Sequence, residues 1–234
     1  MRPLFSGRAR AHRAQTQHRL IRQAASLLIS YPDEHLTDRL EIVQALIDHV
    51  IAEPRHLLGQ TLDALRATDL LTLQTEYVET FDLRRRATMY LTYWTDGDTR
   101  NRGAAMHAFL QTYRDAGVQT LGNEAPDHLP VVLEFAATVD PVAGERLLTE
   151  HRIPLDVLRA ALTERGSRYA PAIDAVCATL PPVTDQEERR AQRLAAAGPP
   201  AEAIGLQPFT LTVPPRRTAP EPTRHEGAGW HGRR

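Results

Sequence analysis

The chain has 234 residues, with 28 basic and 29 acidic side chains, ten His and a formal charge of −1; every basic residue is Arg. Its single cysteine, Cys177, excludes a disulfide framework and a thiolate metal site. No apolar run approaches the roughly 18 residues of a membrane span, so no stable membrane insertion is expected. The opening MRPLFSGRARAHRAQTQHR is basic but leads into no apolar signal region. A cytoplasmic location follows as the expectation.

Regional charge is more informative than the total. Residues 1–22 carry six Arg and no acid, and residues 198–234 carry five Arg and three Glu, which leaves 17 Arg against 26 acids in residues 23–197, a body of net −9. Nucleic acid is excluded as a partner, because phosphate backbones need a basic surface.

In chain order, the first stripe is Leu20, Ala24, Leu27, Leu28 and Tyr31, which predicts a helix halted before Pro32. Leu36, Leu40, Val43, Ile47 and Val50 predict a second, with Thr37 or Asp33 as cap. Pro54 opens a third through Leu58, Leu62 and Leu65, and Asp69 precedes a fourth through Leu70, Leu73, Tyr77 and Phe81. A short helical piece over 87–93 leads to the turn 95–98. Met106, Phe109, Leu110 and Tyr113 mark a helix closed by Gly117. Further helices are predicted over 127–139, over 141–150 with Asp140 as cap and Pro141 at its first position, over 154–165 and over 169–179. The last, 185–196, opens with the capping box Thr184-x-x-Glu187. No segment alternates with period 2.

From 198 to 234, seven Pro and five Gly fall in 37 residues without a period, a composition that cannot offset chain entropy. The expectation is therefore an all-α, single-domain bundle of about ten helices spanning 15–197. A flexible basic N-terminus (1–14) and a disordered Pro/Gly-rich tail (198–234) flank it.

Catalytic signatures are missing: the Walker-type phosphate loop, GxGxxG, GxSxG and HExxH do not occur. The ten His are scattered, and none lies four residues from another on a predicted helix. Asp127 and His128 are neighbours whose side chains diverge on a helix, which reads as a cap followed by a surface His. Cys177 shares an apolar stripe with Ile173 and Leu180 and reads as core.

Two stretches stand apart. In YVETFDLRRRATMYLTYWTDGDTRNRGAAM (77–106), Tyr77 and Phe81 share a face beside Glu79 and Asp82, and Arg100 and Arg102 precede a new helix. Capping by Asp98 and pairing of Arg100 with a nearby acid account for the charges equally. In EAPDHLPVVLEF (124–135), two prolines fix the start of a helix in which Glu134 is flanked by Leu133 and Phe135, facing either solvent or a groove.

These residues carry a resemblance. Tyr77-Val78-Glu79-Thr80-Phe81-Asp82, Tyr90-Leu91, Gly97 through Gly103, Ala105-Met106 and Pro126-Asp127-His128-Leu129-Pro130 through Phe135 are similar to the two motifs of the NarJ family. These are assembly chaperones, or delta subunits, of respiratory nitrate reductase within the TorD-like group. Ala125 departs from the commoner Leu, and Leu27-Leu28 to Tyr31-Pro32 resembles the end of the family's first helix. The likeness spans about 16–180.

The resemblance implies a non-catalytic protein without metal or cofactor of its own. It would bind the apo catalytic (alpha) subunit of nitrate reductase, including its N-terminal peptide, keep it competent for molybdenum cofactor insertion and delay membrane attachment. Molybdenum cofactor biosynthesis proteins are further expected partners, and a monomer or weak dimer is expected. The expected client-binding residues are Tyr77, Glu79, Phe81, Asp82, Arg100, Arg102, Asp127, Leu129, Pro130, Glu134 and Phe135. Alternatives are a chaperone for a dimethyl sulfoxide or trimethylamine oxide reductase and, more remotely, a metal-dependent enzyme using Asp127, His128 and Glu134.

Overall fold

Helix α1 (Phe5–Ile29) buries Ile21, Ala24, Ala25, Leu28 and Ile29 along one face. The computed structural model that shows it describes residues 5–97, 100–118 and 124–199, those of 5–7 and 100 through their backbone only. Within the stretch expected to be a flexible N-terminus, the backbone is helical from Phe5 onward and residues 8–16 are exposed. The tail expectation falls outside the described residues from 200 onward.

Ten further α-helices follow among the described residues: α2 (Leu36–Ile47), α3 (Ala52–Arg66), α4 (Leu70–Tyr77), α5 (Leu91–Asp96), α6 (Arg100–Asp115), α7 (Leu129–Glu134), α8 (Pro141–Glu150), α9 (Arg152–Glu164), α10 (Ala170–Cys177) and α11 (Asp185–Ala197). None of the described residues forms a strand; one isolated antiparallel bridge joins Tyr90 and His128. The all-helical expectation is met.

Local chemistry sets several boundaries. The Asp69 carboxylate accepts from the Thr72 N–H, Asp140 accepts from the N–H groups of Val142 and Ala143, and Thr184 and Glu187 form both bonds of their capping box. Gly117 closes α6 at φ +87°, and the Val118 N–H reaches back to the Tyr113 carbonyl at 2.9 Å. The start of α2 differs from expectation: Thr37 lies inside the helix, and Asp33 Oδ1 accepts from the His35 N–H one residue before it.

Helix α1 packs along α2, α7 and α10, and α3 lies against α10, with Leu40, Val43, Leu58, Leu62, Ile173 and Val176 in the common core. Leu27 is only half-buried at its edge. Two polar ties orient α1. Buried Arg22 donates to Glu145 Oε2 (2.9 Å) and to the Thr179 hydroxyl (3.2 Å), and Ser26 Oγ donates to the Pro130 carbonyl (2.8 Å).

Two expected α-helices change character midway. After α4 the chain makes a π turn, Val78–Asp82, closed by the Leu83 N–H to the Val78 carbonyl. After α7 it makes another, Phe135–Val139, closed by the Asp140 N–H to the Phe135 carbonyl. Against the second turn lies Gly144 of α8, where a Cβ would collide with Ala136. The piece expected over 87–93 is a 3-10 turn, Arg85–Ala87, followed by α5.

Candidate functional site

Both π turns terminate the helices that carry the motifs, and a π turn inserts one extra residue into the helical ladder, frequently beside functional sites. The first brings Phe81 against Tyr77 (ring centroids 4.8 Å) and Tyr169 (5.1 Å). Tyr77 also meets Tyr31 edge-on at 5.3 Å and donates its hydroxyl to the Ile29 carbonyl at 3.2 Å. Burial pushes the Tyr169 phenol up to about 12 and raises that of Tyr77 as well, so both stay neutral.

Asp127 is buried beside this cluster. Its Oδ2 accepts from the Thr92 N–H (3.2 Å) and hydroxyl (2.6 Å) and lies 3.8 Å from the Arg102 guanidinium. Arg102 Nε donates to the Thr92 hydroxyl at 3.3 Å, and its guanidinium lies over the rings of Tyr90 (5.4 Å) and Tyr93 (5.9 Å). Asp127 Oδ1 has no hydrogen-bond partner among the described residues. Two backbone bonds, Leu91 N–H to the Asp127 carbonyl and Leu129 N–H to the Met89 carbonyl, lock this segment to the start of α5.

His128 points the other way, its ring 5.2 Å from that of Tyr90. Burial holds its imidazole below the ordinary value, outweighing the Asp127 and Asp82 carboxylates. Asp127 is thus a core anchor, which corrects its reading as a cap. Among the described residues no three His, Cys, Asp or Glu side chains converge in a geometry that holds a metal, so Asp127, His128 and Glu134 do not form such a set.

Above the network opens a surface cavity of about 530 Å3, lined by Phe81, Asp82, Arg84, Arg85, Thr88, Tyr90, Tyr93, Arg102 and Ala125. The structure therefore brings together Phe81, Asp82 and Arg102, with Asp127 beneath. Glu79 is exposed and lines the neighbouring cavity with Glu76, whose carboxylate pairs with Arg168 at 2.7 Å. Tyr77, Leu129, Pro130 and Phe135 are buried and are not among the residues that line the cavity. Glu134 is exposed at the end of α7 and lines none of this cavity, in keeping with the solvent-facing alternative of its two expected placements. The Arg100 side chain lies outside the described residues.

Thr92, whose hydroxyl joins Asp127 to Arg102, and the cavity-lining Arg84 and Arg85 are not among the residues expected from sequence. Three arginines against Asp82 make the cavity basic within an acidic body. A volume in this range suits a side-chain cluster or a small ligand.

The described residues thus form an all-helical scaffold with a buried polar network under an open aromatic and cationic cavity. Residues 44–175 match the nitrate reductase delta subunit family, and the chain belongs to that family.

Among its relatives, the nitrate reductase-like protein NarX of Mycobacterium tuberculosis is 54% identical over 157 residues, 67% of this chain and 24% of that protein. The probable nitrate reductase molybdenum cofactor assembly chaperone NarJ of Bacillus subtilis is 30% identical, covering 70% of this chain and 90% of its own. The nitrate reductase molybdenum cofactor assembly chaperone NarJ of Escherichia coli is 35% identical over 64% of each chain. The chain thus spans about a quarter of the mycobacterial relative's length. A crystal structure of a putative redox enzyme maturation protein from Archaeoglobus fulgidus shares the fold, with 27% identity and a TM-score of 0.51 over 68% of this chain and 91% of that one.

Proposed function

We propose that this chain is a dedicated assembly chaperone. It binds the apo catalytic subunit of respiratory nitrate reductase, including its N-terminal segment, and keeps it competent for molybdenum cofactor insertion before membrane attachment. One observation carries the reading: the two stretches most similar to the family's motifs meet around an open cavity over a network in which buried Asp127 and Thr92 hold the half-buried Arg102. The names of the bacterial relatives support it. The chain acts by binding, in the cytoplasm, as a monomer or weak dimer, with molybdenum cofactor biosynthesis proteins as further partners. Among the described residues no helix is long and apolar enough to cross a membrane.

In this reading the apolar residues of a client segment seat against Phe81, Tyr90 and Tyr93. The segment's basic residues meet the exposed carboxylates of Asp82, at the wall of this cavity, and Glu79, in the neighbouring one. Rim charges mainly steer encounter and set orientation, while buried apolar contacts supply the affinity.

Affinity capture of the tagged full chain from cells respiring on nitrate, with the bound protein identified by mass, tests this. Recovery of the nitrate reductase catalytic subunit is expected. A dimethyl sulfoxide or trimethylamine oxide reductase subunit in its place would reassign the client. Capture of no molybdoenzyme would overturn the reading.

A further inference from the structure

Helix α11 lies beyond the family-matched residues 44–175 and rests on the body through a thin contact. Of its thirteen residues only Ala191 is buried; Leu194 and Ala195 pack half-buried beside it. They meet Trp94 of α5 and Ile153 and Val157 of α9, in an apolar cluster separate from the main core. The side-chain bonds of α11 are internal, Thr184 with Glu187 and Arg193 with the Arg189 carbonyl. Among the described residues no side-chain hydrogen bond joins it to α5 or α9, and the one charge of α9 that acts on it is Arg152, felt by Glu187 without a close ion pair.

An isolated helix of about this length is marginal in water, so α11 depends on its seat to stay helical. The seat is well formed: Trp94 is 1% exposed and Val157 2%. The Trp94 indole N–H is buried there without an acceptor among the described residues, so the contact with α11 is chiefly one of shape and apolar surface. The occupant itself shows what chemistry fits. Ala191, Leu194 and Ala195 form a narrow small-residue stripe, and Arg189, Arg190 and Arg193 remain exposed around it.

We propose that the α5–α9 face beneath α11 is a docking site for an amphipathic, arginine-bearing helix, that α11 fills it as a built-in ligand, and that a partner helix of the same pattern displaces it. Only the identity of that partner, the client's N-terminal segment, rests on the chaperone reading. The location couples the two sites. Trp94 follows Tyr93, which lines the cavity, and lies two residues after Thr92, which holds Asp127. Exchange of one helix for another on Trp94 therefore acts directly on the short helix that forms the cavity wall.

The chain has two tryptophans, Trp94 and Trp230, so W230F makes Trp94 the sole emitter. In the W230F full chain, emission is expected to be blue-shifted and protected from acrylamide. Adding Ala191→Glu should lift α11, shift emission to the red and increase quenching, while the main thermal transition persists because the principal core is separate. The lifted chain should then bind a synthetic peptide of residues 184–198 about tenfold tighter or more than the Ala191 chain, with blue emission restored. A seat already filled by α11 is open only for the fraction of time the helix is off. Leu194→Ala should give the same changes in smaller measure and covers the case in which the glutamate unfolds the protein.

Native emission in both variants, or no peptide binding to a chain with red-shifted Trp94, would overturn the docking site. The partner assignment has its own readout. The client's N-terminal peptide should raise tryptic cleavage at Arg189, Arg190 and Arg193 in the W230F chain several-fold. If the 184–198 peptide binds and the client peptide leaves cleavage unchanged while still binding the protein, the seat stands, the chaperone reading stands, and the client helix is overturned as its ligand.

Discussion

Where α1, α2, α3 and α10 meet, the buried side chains are mostly aliphatic and recur at helical spacing. Between α4 and α7 the chain packs ring against ring and breaks helical register with π turns at both ends, and it encloses a carboxylate with a guanidinium and a hydroxyl. In the first region, stability is spread over many interchangeable contacts. In the second, a few specified contacts fix the geometry of an open cavity. Substitutions should therefore cost stability broadly in the bundle, and should cost both stability and site geometry in the motif region.

The largest effects test the bundle. Leu62→Ala removes a buried side chain from α3 and should cost about 2–5 kcal/mol in denaturant unfolding. Leu27→Ala, at the half-buried edge of α1, should cost clearly less, although the sequence alone ranks it as core. In the motif region Phe109→Ala should cost about 3–5 kcal/mol, since that ring is fully buried on α6 against Tyr113 and His151. Equal losses at Leu27 and Leu62 would mean that the helix faces are misassigned.

Asp127→Ala comes next. It strips the acceptor from the Thr92 N–H and hydroxyl and removes the carboxylate that lies 3.8 Å from Arg102, an expected loss of about 2–3 kcal/mol. Asp127→Asn keeps one oxygen for Thr92 and should lose less stability. Both variants remove the negative charge beside Arg102 under the cavity, so both should weaken client-peptide binding in titration calorimetry beyond what unfolding explains. Loss of stability with unchanged binding would confine Asp127 to the core.

Acid brings out a smaller effect shared by the two regions. Burial lowers the folded pKa of His128 below 6.5, and it does the same for His18 on α1, helped there by Arg22 and opposed by Glu145. The unfolded chain then binds protons that the folded chain refuses. Stability should be complete above pH 6.5 and should fall as pH drops through the lower folded values. His128→Phe keeps a ring against Tyr90 and removes that group's share, so its stability should fall less steeply with acid than that of the unsubstituted chain. Parallel pH curves for the two proteins would assign the acid sensitivity elsewhere.

Much of the bundle was legible because its determinants are local. The Leu36, Leu40, Val43, Ile47 spacing is one face of a helix in any context, and Asp69, Asp140 and the Thr184–Glu187 box act within a turn of their own positions. The motif region was legible as a location and misread in detail. Tyr77 and Phe81 share a helical face, but sequence cannot say that Tyr169, ninety-two residues beyond Tyr77, closes over them. The π turns arise from tertiary packing and leave no periodic mark. Asp127 and His128 look like a surface pair because neighbours on a helix diverge; the divergence is real, and it sends the carboxylate into the core. Thr92 has no signal of its own.

The smallest expected effects bear most directly on the site. From sequence, Glu134 among apolar neighbours faces either solvent or a groove, and in a desolvated groove its truncation would cost about 2–5 kcal/mol of binding. In the fold it is exposed at the end of α7, on the opposite chemical footing from Phe135, which packs 4.6 Å from the Tyr113 ring. Glu134→Ala should therefore change folding stability by less than about 0.5 kcal/mol and leave client-peptide affinity nearly unchanged. Glu79→Ala should weaken that affinity by no more than about 1 kcal/mol, as expected of an exposed acid beside the cavity. Its effect should shrink at high salt, where exposed charges are screened. Titration calorimetry at two ionic strengths separates these outcomes. A large loss with Glu134→Ala would place the client along the exposed face of α7 instead of over the Tyr90–Tyr93 cavity, and the buried Asp127 network would then be support for a different surface.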